Sequence, residues 1–231
     1  MEAIWQGLVL ALEMLLKGDP EILEIAFLTI KVSGAATLIS VLLGLPIGVF
    51  LALTMFPGRR LIVSVVNFGM GLPPVVVGLW VSIFLWRNGP LGFLHLMYTP
   101  VAMVIAQAVI ASPIVIGFTI AAIQQLNPKI RLQIMALGAT WWQSLLLMVR
   151  EARMGLLAAV MAGFGGVISE VGASSMVGGN IKGETSVLTT ATVLEVSKGN
   201  FDVAIAISLI LLALAYSVTL FLTYQQQKRP L

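Results

Sequence analysis

The stretch PVAMVIAQAVIASPIVIGFTIAAI, residues 100–123, runs for 24 residues without a charged side chain. In hydrocarbon a backbone must satisfy its own hydrogen bonds, and about 20 apolar residues in a helix cross the layer. Residues 100–123 therefore read as a transmembrane helix, and four neighbours follow the same rule. Stretches 61–86 and 203–224 carry no charge, 156–177 carries only Glu170, and 25–55 carries only Lys31 near one end, where its stem can snorkel. Composition agrees: of 231 residues 59% are hydrophobic and 10% charged, against about 25% charged in a soluble domain, and mean hydropathy is +1.03. A soluble globule, a disordered chain and a nucleic-acid binder are excluded by sparse charge, and the absence of cysteine removes disulfides and thiolate metal sites. The expectation is an all-α membrane protein of five transmembrane helices in a single membrane domain, 1–231, embedded in the lipid bilayer, with no metal site.

Boundaries carry their own chemistry. Asp19-Pro20, Thr99-Pro100 and Asn127-Pro128 each place an acceptor side chain before a proline, the order that starts a helix. Residues 1–18 are too short and too charged to span. Glu2, Gln6, Glu13 and Lys17 share one helical face, with Ile4, Trp5, Leu8, Leu12, Leu15 and Leu16 opposite, so this segment reads as an N-terminal interfacial helix. Its acidic start and the lack of a small-residue cleavage site argue against a cleaved signal peptide. Loop charges set the orientation. Arg59, Arg60, Lys129, Arg131, Arg150, Arg153, Lys228 and Arg229 would share one side with a single acid, Glu151, while eight acids and Lys17, Arg87, Lys182 and Lys198 occupy the other. The excess of basic residues marks the cytoplasmic side, so the N-terminus is expected outside and the C-terminus in the cytoplasm.

The longest cytoplasmic connection, 124–155, has helix signals of its own. Asn127-Pro128 starts a helix, Gly138 can end it in a left-handed cap, and Thr140 to Gln143 has capping-box spacing for a second. That second helix opens on Trp141 and Trp142, whose rings suit either anchoring in headgroups or docking on a partner.

The stretch RLQIMALGATWWQSLLLMVREARMGLLAAV (131–160) resembles the cytoplasmic coupling loop of permease subunits in binding-protein-dependent ABC importers. Gly138 fills that loop's glycine position, and Leu132, Gln133 and Ile134 stand where Glu-Ala-Ala is usual. SEVGASSMVGGNIKGETSVLTTATVLEVSKG (169–199), together with GLPIGVFLAL (44–53), FPGRR (56–60) and LPPVVVGL (72–79), is similar to the tungstate and molybdate permeases, the tungstate branch above all. The resemblance implies a type I ABC importer permease fold and no catalysis in this chain. It further implies ATP and magnesium on a separate cytoplasmic ATPase subunit, no cofactor here, an extracytoplasmic oxyanion-binding protein, a second copy of the chain to complete the path, no nucleic acid, and residence in a prokaryotic inner membrane. Ala136, Gly138, Ala139, Thr140, Trp141 and Trp142 would couple to the ATPase. Ser169, Glu170, Gly172, Ser174 and Ser175 would line the path or gate, with Asn180 and Lys182 at the entrance.

Rival motifs fail on chemistry. GGNIKGET (178–185) nearly spells a phosphate-binding loop, but Glu184 stands where a lysine must neutralise phosphate. Its glycines read as hinges and turns. Gly172-Ala173-Ser174-Ser175 has the local look of a nucleophile, yet serine needs a base, and His95, the only histidine, falls in a different loop. Glu170 stands apart, because an ionisable group in a span costs a few kcal/mol and turns to the bundle interior or a water-filled path. A structural bond to Asn67 or Gln107 is the plainer role. Pro46, Pro73, Pro74 and Pro113 fall inside spans and are expected to bend or break them. An ATP-independent secondary transporter or channel is the alternative, and it would show repeats and paired broken helices.

Overall fold

A computed structural model describes residues 2–227, without the side chains of Glu2, Ala3, Ile4, Pro128 and Arg131. The Lys228/Arg229 pair lies outside the described residues, as do the side chains of Glu2, Ile4 and Arg131 that entered the face and charge readings. Among the described residues the chain is helical, with no strand.

Three helices are long and apolar enough to cross a membrane alone: α2 (Pro20–Leu53), α5 (Pro100–Gln124) and α11 (Phe201–Gln227). Two further spans are broken. The first is α3 (Arg59–Met70) with α4 (Pro74–Leu85), bent by 103°; the second is α8 (Arg153–Ile168) with α9 (Gly172–Gly178), bent by 58°. By length and composition this makes three spans, or up to five if each bent pair is one span. The first break has the expected cause, since Gly71, Pro73 and Pro74 cannot continue a helix and Pro74 restarts one at its first position. The second, at 169–171, contains no proline. Pro46 and Pro113, expected to bend or break their spans, sit inside continuous helices and break neither.

Helix α5 is the hub, packing against α2, α3, α4, α8 and α9. Its closest partner is α2, which presents Ala36, Ser40, Gly44 and Gly48, all buried, at four-residue spacing. Small residues let membrane helices approach where no hydrophobic effect drives them together. A Cβ on Gly48 would lie 2.6 Å from the Thr119 Cβ, so the contact is backbone-close. Ser40 adds a bond across the seam, its Oγ donating to the Ala108 carbonyl at 3.2 Å.

Helix α1 (Glu2–Lys17) lies on α11 through Gly7 and Ala11. Trp5, Leu12 and Leu16 remain exposed, the outward apolar face an interfacial helix needs, and Lys17 pairs with Glu13. The 124–155 connection folds as α6 (Pro128–Ala136) and α7 (Trp141–Glu151). Segment 178–199, whose first glycines read as hinges and turns, contains a helix, α10 (Leu188–Lys198). Its start is capped from elsewhere in the chain: Leu188 N–H donates to Thr29 Oγ1 of α2 at 2.9 Å.

Candidate functional site: a broken-helix junction and a capped corner

The two broken spans meet. Gly78 of α4 faces Ala173 of α9, where an added Cβ would lie 2.6 Å from the Ala173 Cα, and a Cβ on Gly172 would lie 2.7 Å from Val75 Cγ2. Around this contact Val77, Met103, Ala106, Ala173 and Val177 form a buried core. Glycine is required because the opposing atoms are backbone or branched carbon that cannot swing away.

Glu170 sits at the α8–α9 break, 7% exposed. Its carboxylate accepts from the Ala173 N–H at 2.7 Å, and its backbone carbonyl accepts from Thr189 Oγ1 of α10 at 3.0 Å. A negative group on the first free N–H groups of α9 is favourably placed, so Glu170 ties α8, α9 and α10 together. Its carboxylate reaches neither Asn67 nor Gln107. Gln107 instead donates through Nε2 to Ser174 Oγ at 3.0 Å, and Ser174 is fully buried. That bond uses the serine as an acceptor for an amide, with no base beside it. Ser169 is exposed and donates to the Gly165 carbonyl at 2.8 Å, while Ser175 is half-buried. The junction thus separates its polar residues: Glu170 and Ser174 are committed to internal bonds, while Ser169 and Ser175 retain access to the surface.

The segment after α9 is latched by short bonds. Thr185 Oγ1 donates to the Gly178 carbonyl at 2.6 Å and accepts from the Ile181 N–H at 2.9 Å, and Gly179 and Gly183 adopt left-handed backbone with φ +73° and +80°. Asn180 is held within the protein, its Oδ1 accepting from Thr190 Oγ1 at 2.7 Å. Lys182 is exposed and donates to Glu21 Oε1 at 2.7 Å, across the mouth of a cavity of about 260 Å³ bordered by Asp19, Glu195 and Lys198. The Glu21 carboxylate raises Lys182 above the ordinary lysine value. Hydrogen bonds from Lys198 and Asn200 lower Glu195.

On the opposite face the capping signals of 127–143 all form. Asn127 Oδ1 accepts from the Lys129 N–H at 3.0 Å. Gly138 adopts φ +79°, with Gly138 N–H bonded to the Met135 carbonyl at 3.0 Å and Ala139 N–H to the Ile134 carbonyl at 3.3 Å. That pair of bonds is a Schellman cap. Thr140 and Gln143 close the capping box of α7: Thr140 N–H donates to Gln143 Oε1 at 2.8 Å, and Gln143 N–H to Thr140 Oγ1 at 3.4 Å. Leu132, Met135 and Leu137 stand exposed on α6 and the corner. Trp141 and Trp142 pack edge to face, centroids 4.6 Å apart, and line a groove against α2.

Residues 44–229 match the family described as "Binding-protein-dependent transport system inner membrane component". The chain is 40% identical over 218 residues to the tungstate uptake system permease protein TupB of Peptoclostridium acidaminophilum, covering 94% of this chain and 96% of that one. It is 41% identical over 202 residues to a probable anion ABC transporter permease protein of Haloferax volcanii, covering 85% and 87%. The structure of the MetNI methionine ABC transporter in inward-facing conformations superposes with a TM-score of 0.75 at 20% identity, over 89% of this chain and 94% of that one, which establishes a shared fold. A hub helix, two broken spans that meet and a capped corner on one face thus sit in a chain related along nearly its whole length to such permeases, and the protein belongs to the family of binding-protein-dependent transport system inner membrane components.

Proposed function

We propose that the chain is the membrane-spanning permease subunit of an ABC importer that moves an oxyanion, tungstate in preference to molybdate. The observation that carries this reading is the 40% identity to a tungstate permease across 94% of the chain. Two copies would enclose the path between them. The chain itself carries out no chemistry and holds no cofactor; ATP and magnesium belong to a cytoplasmic ATPase subunit, and an external binding protein delivers the anion. The basic side of the charge map is cytoplasmic, which puts the N-terminus outside and the corner inside.

Roles follow from placement. Leu132, Met135 and Leu137 are exposed apolar side chains beside a rigidly capped turn, a shape that suits a hydrophobic groove on a partner. Ala136, Gly138, Ala139 and Thr140 hold that turn, and the Trp141–Trp142 pair fixes how α7 sits under α2. In the path, Ser169 and Ser175 offer hydroxyls to the anion, whereas Glu170, Gly172 and Ser174 position the gate. Lys182, with Asn180 behind it, stands at the entrance. Weak, multiple contacts suit an anion that must also leave. Co-purification with the ATPase, followed by ATP hydrolysis that rises when tungstate-loaded binding protein is added, tests the reading. Tungstate movement by the chain alone, down its gradient and without ATPase, would establish the ATP-independent alternative instead.

A further inference from the structure

We propose that this chain holds one phospholipid of the leaflet on its α6–α7 side, with an acyl chain in a groove between α2 and α7 and the phosphate at Arg59 and Arg60. The groove has a volume of about 430 Å³, and Leu45, Val49, Phe50 and Leu53 of α2 and Trp142 and Leu146 of α7 line it. Thr54 contributes the one side-chain hydroxyl, and its Oγ1 is already committed to the Phe50 carbonyl at 2.6 Å. With the indole N–H groups of Trp141 and Trp142 as the remaining donors, the lining offers an occupant mainly apolar contact.

Length and charge identify that occupant. Leu45 to Thr54 spans about 14 Å along the helix axis at 1.5 Å per residue. That is about half of a 30 Å hydrocarbon core, the depth of one leaflet. A water-soluble partner does not reach that depth. At the groove's end, Phe50 stacks on Phe56 with centroids 5.8 Å apart, and Phe56 opens a second concavity bordered by Pro57, Gly58, Arg59 and Arg60. Arg59 is oriented by its Nε, which donates to the Leu51 carbonyl at 2.6 Å, leaving its terminal NH₂ groups for an anion. An apolar slot one leaflet deep that ends at two guanidinium groups matches an anionic phospholipid. The inference needs only that the chain resides in a bilayer, so it stands apart from the transport reading.

Tryptophan fluorescence tests it. In the full chain, Trp5→Phe, Trp80→Phe and Trp86→Phe leave Trp141 and Trp142 as the reporters. In zwitterionic vesicles doped with a small fraction of chain-brominated anionic phospholipid, quenching should occur at a dopant level roughly tenfold below that needed with a brominated zwitterionic lipid. Arg59→Gln with Arg60→Gln should remove this preference and leave the chain folded. Leu146→Glu, at an exposed position, should reduce quenching by both lipids. Equal quenching by the two lipids, unchanged in either variant, would mean annular lipid only and overturn the site. Protection from both, with a second copy or an ATPase subunit crosslinked to residue 146, would overturn it in favour of a protein occupant.

Discussion

Gly78 of α4 and Ala173 of α9 bring two broken spans into backbone contact, with room for a hydrogen and none for a methyl group. Substitution there should therefore be far more costly than at a glycine in open space. Gly78→Ala must displace a backbone, a strain of about 1–3 kcal/mol, and Gly78→Leu should abolish transport. Gly165→Ala is the contrast, because nothing lies within 4 Å of its added Cβ and alanine favours the helix by about 1 kcal/mol. Thermal unfolding in detergent, read beside uptake, should show a loss at 78 and none at 165.

Glu170 separates a capping role from a charge role. Glu170→Gln keeps an oxygen acceptor for the Ala173 N–H, whereas Glu170→Ala leaves that buried N–H unpaired at a cost of about 1–3 kcal/mol. If the carboxylate positions α9, the glutamine variant retains most transport and the alanine variant loses it. Equal loss in both would assign the function to the negative charge.

Gly138 stands at φ +79° with nothing near its missing Cβ, so its value is conformational and not steric. Gly138→Val should strain the left-handed cap by about 1 kcal/mol or more and rotate the α6–α7 corner. Membrane insertion should persist while ATP hydrolysis in the assembled complex loses its dependence on loaded binding protein. Coupled hydrolysis at the wild-type rate in this variant would remove the corner from the coupling role.

The face that carries Lys182 and Glu195 should be indifferent to ordinary pH. Glu195 is lowered by its hydrogen bonds, so its contribution is present above the usual carboxylate range and disappears as pH falls through its depressed value. Lys182 is raised by Glu21, so its contribution is full at neutral pH and disappears only as pH climbs through its elevated value. Both shifts move Glu195 and Lys182 away from neutrality, so neither of these two groups changes charge between about pH 6 and pH 9. Binding-protein affinity for the complex should be flat across that window; a midpoint near neutrality would implicate another group.

Much of this architecture was legible in residue order. Long runs with at most one charge located the three long apolar helices and the two bent pairs, and the corner of α6 and α7 followed from Asn127, Gly138 and the Thr140–Gln143 pair because capping is local chemistry. What escaped was set by distant partners. The break at 169–171 has no proline; it is held by Glu170 and by Thr189, 19 residues on. Helix α10 was hidden in a threonine-rich segment because its cap, Thr29, comes from α2. Asn180 and Ser174 looked available for an anion, and only the fold shows them committed to Thr190 and Gln107. Pro46 and Pro113, by contrast, break neither α2 nor α5, whose helices continue through them.

Tungsten accumulation in proteoliposomes tests whether this chain imports an oxyanion. Vesicles carrying this chain with its ATPase, energised with ATP on the α6–α7 side and given tungstate-loaded binding protein on the other, should accumulate the metal. Omitting the chain, the ATPase, ATP or the binding protein should each abolish that uptake. Equal accumulation without the binding protein, or transport of an amino acid or sugar in place of the oxyanion, would contradict the account.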